Sequence, residues 1–213
     1  FAMRVTKHEH ACLVVEEQGH KLVVDPGMYS EKLPELINVV ALTLSHIHDD
    51  HSFRPHVEKL LEQFPEIKIF GTQEVAEKLE GLAVTVVYHG DRYEVGPFTL
   101  DFFGYFHQEI HRSIPLVQNF GLMVNSELYY PGDSYTIPEV QVGTLACPSS
   151  APWLKIGDVI DFVSAVKPRR SFPTHNALLS EHGHKLQNSR IQELTESFGG
   201  EFRYLEVGQS WEL

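Results

Sequence analysis

The amino-acid sequence predicts an α/β (α+β) fold, a four-layer αββα sandwich in which two mixed β-sheets pack face to face with helices outside. Short apolar runs that end in turn residues alternate with segments of helical periodicity. Each half of the chain also contains a strand-like run that ends near a carboxylate, Asp25 or Asp133, and another that ends near a histidine, His46 or His175. Two similar halves of mixed strands and helices predict two packed sheets with these polar residues gathered at one edge.

The elements of the first half follow from two periodicities. Apolar runs bounded by turn residues predict buried strands. These strands cover residues 11–15, 22–24, 39–44, 67–70 and 84–88. Apolar residues at helical spacing predict an amphipathic helix over 54–64, which Pro65 would end, and a second helix over 72–79.

The second half carries the remaining predicted elements. An alternating segment predicts a strand over 98–106, and two short strands at 122–124 and 128–130 flank a hairpin turn at Asn125-Ser126. A loop is expected at 148–152. The later elements are a helix over about 156–166, a strand near 170–172 and a helix over about 185–198.

The charge balance restricts the class of partner. The formal net charge is −12, and only residues 167–170 are locally basic, whereas nucleic-acid binding depends on clustered Lys and Arg. No apolar run approaches the roughly 20 residues that a membrane-spanning helix needs. We therefore expect a small-molecule substrate, with no nucleic-acid and no membrane partner. The sequence leaves the oligomeric state open.

Residues 3–213 are expected to form a single domain, because no low-complexity linker divides them and their length suits one core. Phe1-Ala2 precede Met3 and are expected to be a remnant of the expression vector. The two cysteines, Cys12 and Cys147, are too few for a disulfide framework. Reduced thiols of this kind predict a cytoplasmic location.

Three of the 13 histidines lie in one short run, Ser45-His46-Ile47-His48-Asp49-Asp50-His51, directly after a predicted strand. A tight loop at the end of a strand can aim its alternate side chains at different metal ions. Imidazole is the commonest protein metal ligand, and buried imidazoles need partners. A solvated turn would rarely collect this pattern, so the run predicts a metal site.

This run resembles the HxHxDH signature of the metallo-β-lactamase superfamily, and the resemblance extends across nearly the whole chain. It implies a first metal bound by the first two histidines and a later one, and a second metal bound by the aspartate and the last histidine. It also implies a bridging aspartate, matched in Gly132-Asp133, and a final histidine after a late strand. The implied ligands are His46, His48, Asp50, His51, Asp133 and His175, of which Asp50 and Asp133 are also expected to be catalytic.

The third histidine of the first metal is ambiguous, because His107 and His111 both follow the predicted strand over 98–106. His107 continues the alternation of that strand and so lies closer to a strand end. We expect His107 to be the ligand and His111 to contact the substrate or to support a ligand, with the reverse assignment open.

Three further residues are candidates for supporting roles. Asp25 resembles an aspartate that braces the histidine loop in the superfamily, although a simple turn residue is the alternative. His10-Ala11-Cys12 is similar to the start of a branch that includes ascorbate-6-phosphate lactonases and phospholipase D-like enzymes, so His10 is expected to face the site. Trp153 offers a stacking surface for substrate or packs in the core.

The resemblance implies a dinuclear metal-dependent hydrolase. Two divalent ions bridged by Asp133 would lower the pKa of a water and deliver hydroxide to a carbonyl or phosphoryl centre. Nitrogen and oxygen ligands without a thiolate favour zinc, with manganese and iron as alternatives. A small polar ester, lactone or phosphoester is the expected substrate. The competing hypotheses are a non-catalytic metal-binding protein of the same fold and an oxygen-using di-iron enzyme.

Overall fold

The structure, a computed structural model, describes residues 2–30 and 35–213. Phe1, half of the expected vector remnant, lies outside these residues. The strands within the described ranges are β1 (Arg4–Lys7), β2 (Leu13–Glu17), β3 (His20–Val24), β4 (Val39–Leu44), β5 (Lys68–Gly71), β6 (Val84–Val86), β7 (Arg92–Val95), β8 (Phe98–Phe103), β9 (Gly121–Val124), β10 (Leu128–Tyr130), β11 (Thr144–Pro148), β12 (Arg170–Thr174), β13 (Glu201–Phe202) and β14 (Ser210–Glu212). The helices are α1 (Arg54–Gln63), α2 (Gln73–Lys78), α3 (Ile156–Val166) and α4 (Glu181–Ser197).

The strands form two seven-stranded sheets. The first has the order β14-β1-β2-β3-β4-β5-β6, and the second has the order β13-β12-β11-β10-β9-β8-β7. Both are mixed, because β3 to β6 run parallel while β2 opposes β3, and β10 to β12 run parallel while β9 opposes β10. The predicted fold class, two mixed sheets with helices outside, is confirmed.

Three apolar clusters hold these layers together. The largest lies between the sheets and joins side chains such as Leu22 of β3 to Phe172 of β12. A second packs α1 and α2 against the first sheet, and a third packs α3 and α4 against the second sheet. Each sheet therefore buries both faces, which explains why its central strands read as continuous apolar runs. None of the helices in the described residues is long and apolar enough to cross a bilayer.

Most predicted elements are present, with shifted ends. The strand over 39–44 and the helix over 156–166 are confirmed to the residue. The last helix begins at Glu181 rather than 185, because the Ser180 side chain caps it by accepting a hydrogen bond from the Gly183 N–H. At the predicted hairpin turn, Asn125 and Ser126 both have positive φ, as a two-residue turn of this kind requires.

The prediction missed five strands. These are β1, β7, β11, β13 and β14, which have two to five residues each. Segments this short carry few alternations to distinguish them from loops. The expected loop at 148–152 begins one residue late, because Pro148 is the last residue of β11.

The predicted strand over 98–106 is too long. Strand β8 ends at Phe103, because Gly104 adopts a left-handed φ of 84° that breaks the extended backbone. Phe106 then forms only an isolated bridge with Gln118. The argument that placed His107 on a continuous strand face was therefore wrong, although His107 is buried.

Four strands end just before the carboxylates and histidines that recur in the two halves of the sequence. Strands β3 and β4 lead to Asp25 and His46, and strands β10 and β12 lead to Asp133 and His175. Parallel neighbours end at the same edge of a sheet, so the two pairs face each other across the sandwich.

The loop after β3 contacts the histidine loop through its backbone. The Met28 N–H donates to the Asp49 carbonyl at 2.7 Å, and a Cβ added at Gly27 would overlap the backbone carbonyl of Asp50. Only glycine permits this approach. The close contact holds the histidine loop against the end of β3.

We therefore predict that Gly27→Ala lowers the free energy of unfolding by about 1–3 kcal/mol, since the histidine loop must move to admit the methyl group. Denaturant unfolding measures the change. Gly157→Ala is the control, because a Cβ there meets nothing nearer than 3.8 Å and should leave stability unchanged or raise it by up to about 1 kcal/mol. Equal stability of both variants would show that the loops do not depend on this approach.

Candidate metal centre

The structure brings most of the predicted ligands into two neighbouring groups. In each group, one possible ligand atom per residue lies within 4.8 Å of all the others. The first group is His46, His48 and His107, and the second is His10, Asp50, His51 and His175. The histidine loop thus divides its side chains between the groups, with His46 and His48 in the first and Asp50 and His51 in the second.

Asp133 lies between the groups and contacts both. Its Oδ2 atom is 3.3 Å from His107 Nε2 in the first group and 3.1 Å from His175 Nε2 in the second. Its Oδ1 atom is 3.2 Å from His51 Nε2. One carboxylate is therefore within reach of two ion positions.

Hydrogen bonds fix the tautomers of the central histidines. The Nδ1 atoms of His51, His107 and His175 lie on the Asp25 carboxylate and on the carbonyl oxygens of Gln108 and Ser150, which can only accept. His46 Nδ1 donates to Ser45 Oγ, whose single proton goes to Asp25. Each Nδ1 therefore carries a proton, so each ring in its neutral form presents the Nε2 lone pair to a metal.

The burial of these Nε2 atoms favours a metal site. The Nε2 atoms of four histidines and Oδ1 of Asp133 are buried without a hydrogen-bond partner among the described residues. The four histidines are His46, His51, His107 and His175. Such groups are rare in proteins because desolvation leaves them uncompensated.

The spacing of the donor atoms also fits a metal. Imidazole and carboxylate donors in the second group and around Asp133 are 3.1–3.7 Å apart. Two ligands that each lie about 2.1 Å from a tetrahedral ion would be roughly 3.4 Å apart. The residues present therefore fit divalent metal ions.

Burial and charge act together on the ionisable groups. Burial lowers the pKa of His46 well below its usual value, so this imidazole is neutral, which is the form that binds a metal. Burial opposes the charge of Asp133, but the His175 and His51 imidazoles outweigh it and hold its pKa well below the usual range. Asp133 is therefore a buried anion surrounded by nitrogen donors.

His10 enters the second group in a different tautomer. Its Nδ1 atom accepts a 3.3 Å hydrogen bond from the Ala177 N–H, so its Nε2–H donates to Asp50 Oδ2 at 3.1 Å. The ring is buried, and its backbone carbonyl accepts from the His175 N–H. The geometry makes His10 a donor that orients Asp50, since its lone pair is already used.

Asp25 is more than a turn residue. Its carboxylate accepts hydrogen bonds of 2.7 Å from the Ser45 N–H, His51 Nδ1 and Tyr130 Oη. Sequence reasoning missed Tyr130 and also Asn119, whose Oδ1 accepts from the Asp133 N–H at 3.0 Å. A tyrosine at the end of β10, three residues before Asp133, was the available signal for Tyr130.

The two remaining candidates lie in different surroundings. His111 is exposed, bonds Ser113 within its own loop, and belongs to neither group. Trp153 is buried, and its Nε1–H donates to Asp133 Oδ2 at 2.9 Å. The indole is therefore not an open stacking surface, and of the two alternatives left open by the sequence the structure favours packing in the core.

Comparisons with known proteins point to one family. The model of the family described as "Beta-lactamase superfamily domain" matches residues 4–175. Protein Rv0786c of Mycobacterium tuberculosis is 31% identical over 198 residues, which cover 91% of this chain and 93% of that protein. The family match therefore includes all residues of both groups and Asp133.

Solved structures share the fold at low sequence identity. The metallo hydrolase Igni18 from the archaeon Ignicoccus hospitalis aligns over the whole of both chains with a TM-score of 0.77 and 15% identity. CmlA, a diiron β-hydroxylase from Streptomyces venezuelae, has a TM-score of 0.72 and 13% identity over all of this chain and 54% of its own. At these identities, the likeness concerns the fold alone.

Metal content should separate the two histidines of the β8–β9 connection. We predict that His107→Ala loses bound metal, since its Nε2 lies with the first group and against Asp133. His111→Ala is the matched control and should keep the metal content of the parent. The metal stoichiometry of the purified variants tests which histidine is the ligand. Loss of metal in His111→Ala alone would reverse the assignment.

Proposed function

The chain belongs to the β-lactamase superfamily domain family and has the metallo-β-lactamase fold, and on this premise we propose that it is a dinuclear metal-dependent hydrolase of small esters, lactones or phosphoesters. One observation carries the proposal. The Asp133 carboxylate lies between two groups of potential ligands that each fit a divalent ion.

Each residue has a stated part in this proposal. His46, His48 and His107 would hold the first ion. Asp50, His51 and His175 would hold the second, and Asp133 would contact both. The donors are imidazole nitrogens and carboxylate oxygens, which suit zinc first and manganese or iron next. Bound divalent ions would lower the pKa of a water toward neutrality and polarise a substrate oxygen.

The side chains of the centre differ in their exposure to solvent. The Asp50 side chain is 24% exposed, whereas that of Asp133 is 4% exposed. His48 is also partly exposed, while His46 is buried. Substrate would therefore approach from the side of Asp50 and His48. This opening supports catalysis over a closed, non-catalytic metal site.

Charge favours the uncharged members of the proposed substrate class. The chain has a net charge of −12, and no lysine or arginine among the described residues pairs with Asp50 or Asp133. Lys78 is a cation close to the histidine loop, and its Nζ is already bound to Ile47 O, Asp49 Oδ1 and Ser52 O. Among the described residues no such cation lies against these carboxylates to balance a phosphoester, so esters and lactones rank first.

The surroundings of the ligands suggest an apolar part in the substrate. Met28, Phe106 and Leu178 are exposed, and each lies within three residues of Asp25, His107 or His175. These residues neighbour the ligands in sequence, and exposed apolar side chains commonly contribute to ligand sites. The similarity of His10-Ala11-Cys12 to the lactonase-containing branch adds weight to lactones.

The proposed cellular location is the cytoplasm. Cys12 and Cys147 are both free and buried, and burial raises the pKa of the Cys12 thiol to about 12. Neither forms a disulfide, as expected for a reducing compartment.

Metal removal with a substrate panel tests the function. We predict about two ions per chain, hydrolysis of at least one ester or lactone, and loss of that activity after chelation. The unfolding temperature should fall as well, because the ligands come from both sheets and metal binds only the folded arrangement. Stoichiometric metal without hydrolysis across esters, lactones, thioesters and phosphoesters would instead support the non-catalytic alternative.

Replacing Asp133 tests the two-ion arrangement. Asp133→Asn removes the charge that both ions would share, so bound metal should fall toward one ion per chain while the circular dichroism stays native. Turnover should drop by about a hundredfold or more. Asp101→Asn, which alters a carboxylate paired with Arg92 at 3.5 Å on β8, is the control and should behave as the parent. Two ions and normal turnover in Asp133→Asn would refute the arrangement.

A further inference from the structure

We propose that Trp153 is a positioning residue, whose indole N–H holds the Asp133 carboxylate in the orientation that both ions require. The inference rests on the proposed function and extends it to a residue that contributes no ligand atom. Its basis is the 2.9 Å hydrogen bond from Trp153 Nε1 to Asp133 Oδ2.

The direction of this hydrogen bond is fixed by chemistry. An indole nitrogen can only donate, and an ionised carboxylate can only accept. A carboxyl group is ionised at neutral pH when polar groups compensate its burial, and the Asp133 oxygens lie 3.1–3.3 Å from the Nε2 atoms of His51, His107 and His175. The contact is therefore charge-assisted and stronger than a bond between neutral groups.

Trp153 holds the side chain of Asp133, whereas another residue holds its backbone. Asn119 Oδ1 accepts from the Asp133 N–H, which fixes the main chain. The oxygen that Trp153 binds is Oδ2, the atom that lies near both His107 and His175. Without the indole N–H, the carboxylate could rotate and exchange its two oxygens between the ion positions.

The loop that carries Trp153 also holds a histidine of the second group. This loop follows β11, and its Ser150 carbonyl accepts from His175 Nδ1. Its Ser149 N–H donates to Thr174 O at 3.1 Å, just before His175. The indole is packed edge-on against the Tyr135 ring at a centroid distance of 5.2 Å. A segment without ligands thus orients two ligands from different strands.

A packing role is the competing explanation, and the chain contains a matched control. Trp211 is the second of its two tryptophans, and it is also buried. It lies in the cluster between the sheets and against the Arg203 guanidinium at 4.6 Å, and it belongs to neither ligand group. Phenylalanine at either position keeps an aromatic ring and removes only the N–H and part of the volume.

The first measurement is metal affinity, titrated with Zn²⁺ into metal-free protein in competition with a chromophoric chelator. Trp153→Phe should bind one of the two ions about 10–100-fold more weakly, the usual effect of losing a partner that orients a ligand. Trp211→Phe should keep both affinities. Circular dichroism and unfolding of the metal-free variants check that both fold.

The second measurement uses the tryptophans as reporters and does not depend on the folding of Trp153→Phe. In Trp211→Phe, Trp153 is the sole tryptophan, so stoichiometric Co²⁺ should quench its emission strongly. If Co²⁺ binds and the Trp153 fluorescence does not change, Trp153 does not contact the metal centre and the inference is contradicted.

The outcomes separate this inference from the proposed function. If the parent binds two ions and Trp153→Phe binds them with equal affinity, Trp153 only packs and the inference is wrong, while the proposed function stands. If the parent itself binds neither Zn²⁺ nor Co²⁺, the proposed function fails and this inference fails with it.

Discussion

The burial of one carboxylate, that of Asp133, is the constraint on which the rest of the site depends. A buried charge costs several kcal/mol of free energy unless it is paired and hydrogen-bonded. Imidazoles from both ligand groups surround Asp133, and Trp153 and Asn119 bind its side chain and backbone. Divalent ions would offset this charge and also occupy the Nε2 atoms that have no partner in the described structure.

Strand ends and supporting loops contribute to this site in different ways. Strands β4, β10 and β12 end just before residues of the site. The backbone hydrogen bonds of the sheets therefore fix the backbone positions from which these side chains extend. Loops that donate no ligand then orient them, as Asp25 does for His51 and as the Ser150 carbonyl does for His175. Rigid elements position the centre, and hydrogen bonds between loops refine it.

The segment between the buried His107 and β9 has a different character. Residues 111–116, between His107 and β9, are all exposed and include apolar side chains such as Ile114 and Leu116. Few buried contacts restrain such a segment, and binding specificity commonly resides in loops mounted on a rigid scaffold. A loop of this kind can vary in sequence without altering the buried centre.

The sequence by itself determined most of the strands, the longer helices and the histidine loop, because their periodicity and spacing are local. His46, His48, Asp50 and His51 lie within six residues, so one tight loop suffices to bring them together. Only the tertiary structure showed that His107, and not His111, lies among the potential ligands. The sequence argument relied on an alternating strand that reaches His107, but Gly104 ends this strand earlier. The tertiary structure also placed the Trp153 and Tyr130 donors on carboxylates 20 and 105 residues away. Hydrogen bonds across such separations depend on the packing of two sheets and leave no periodic pattern in the chain.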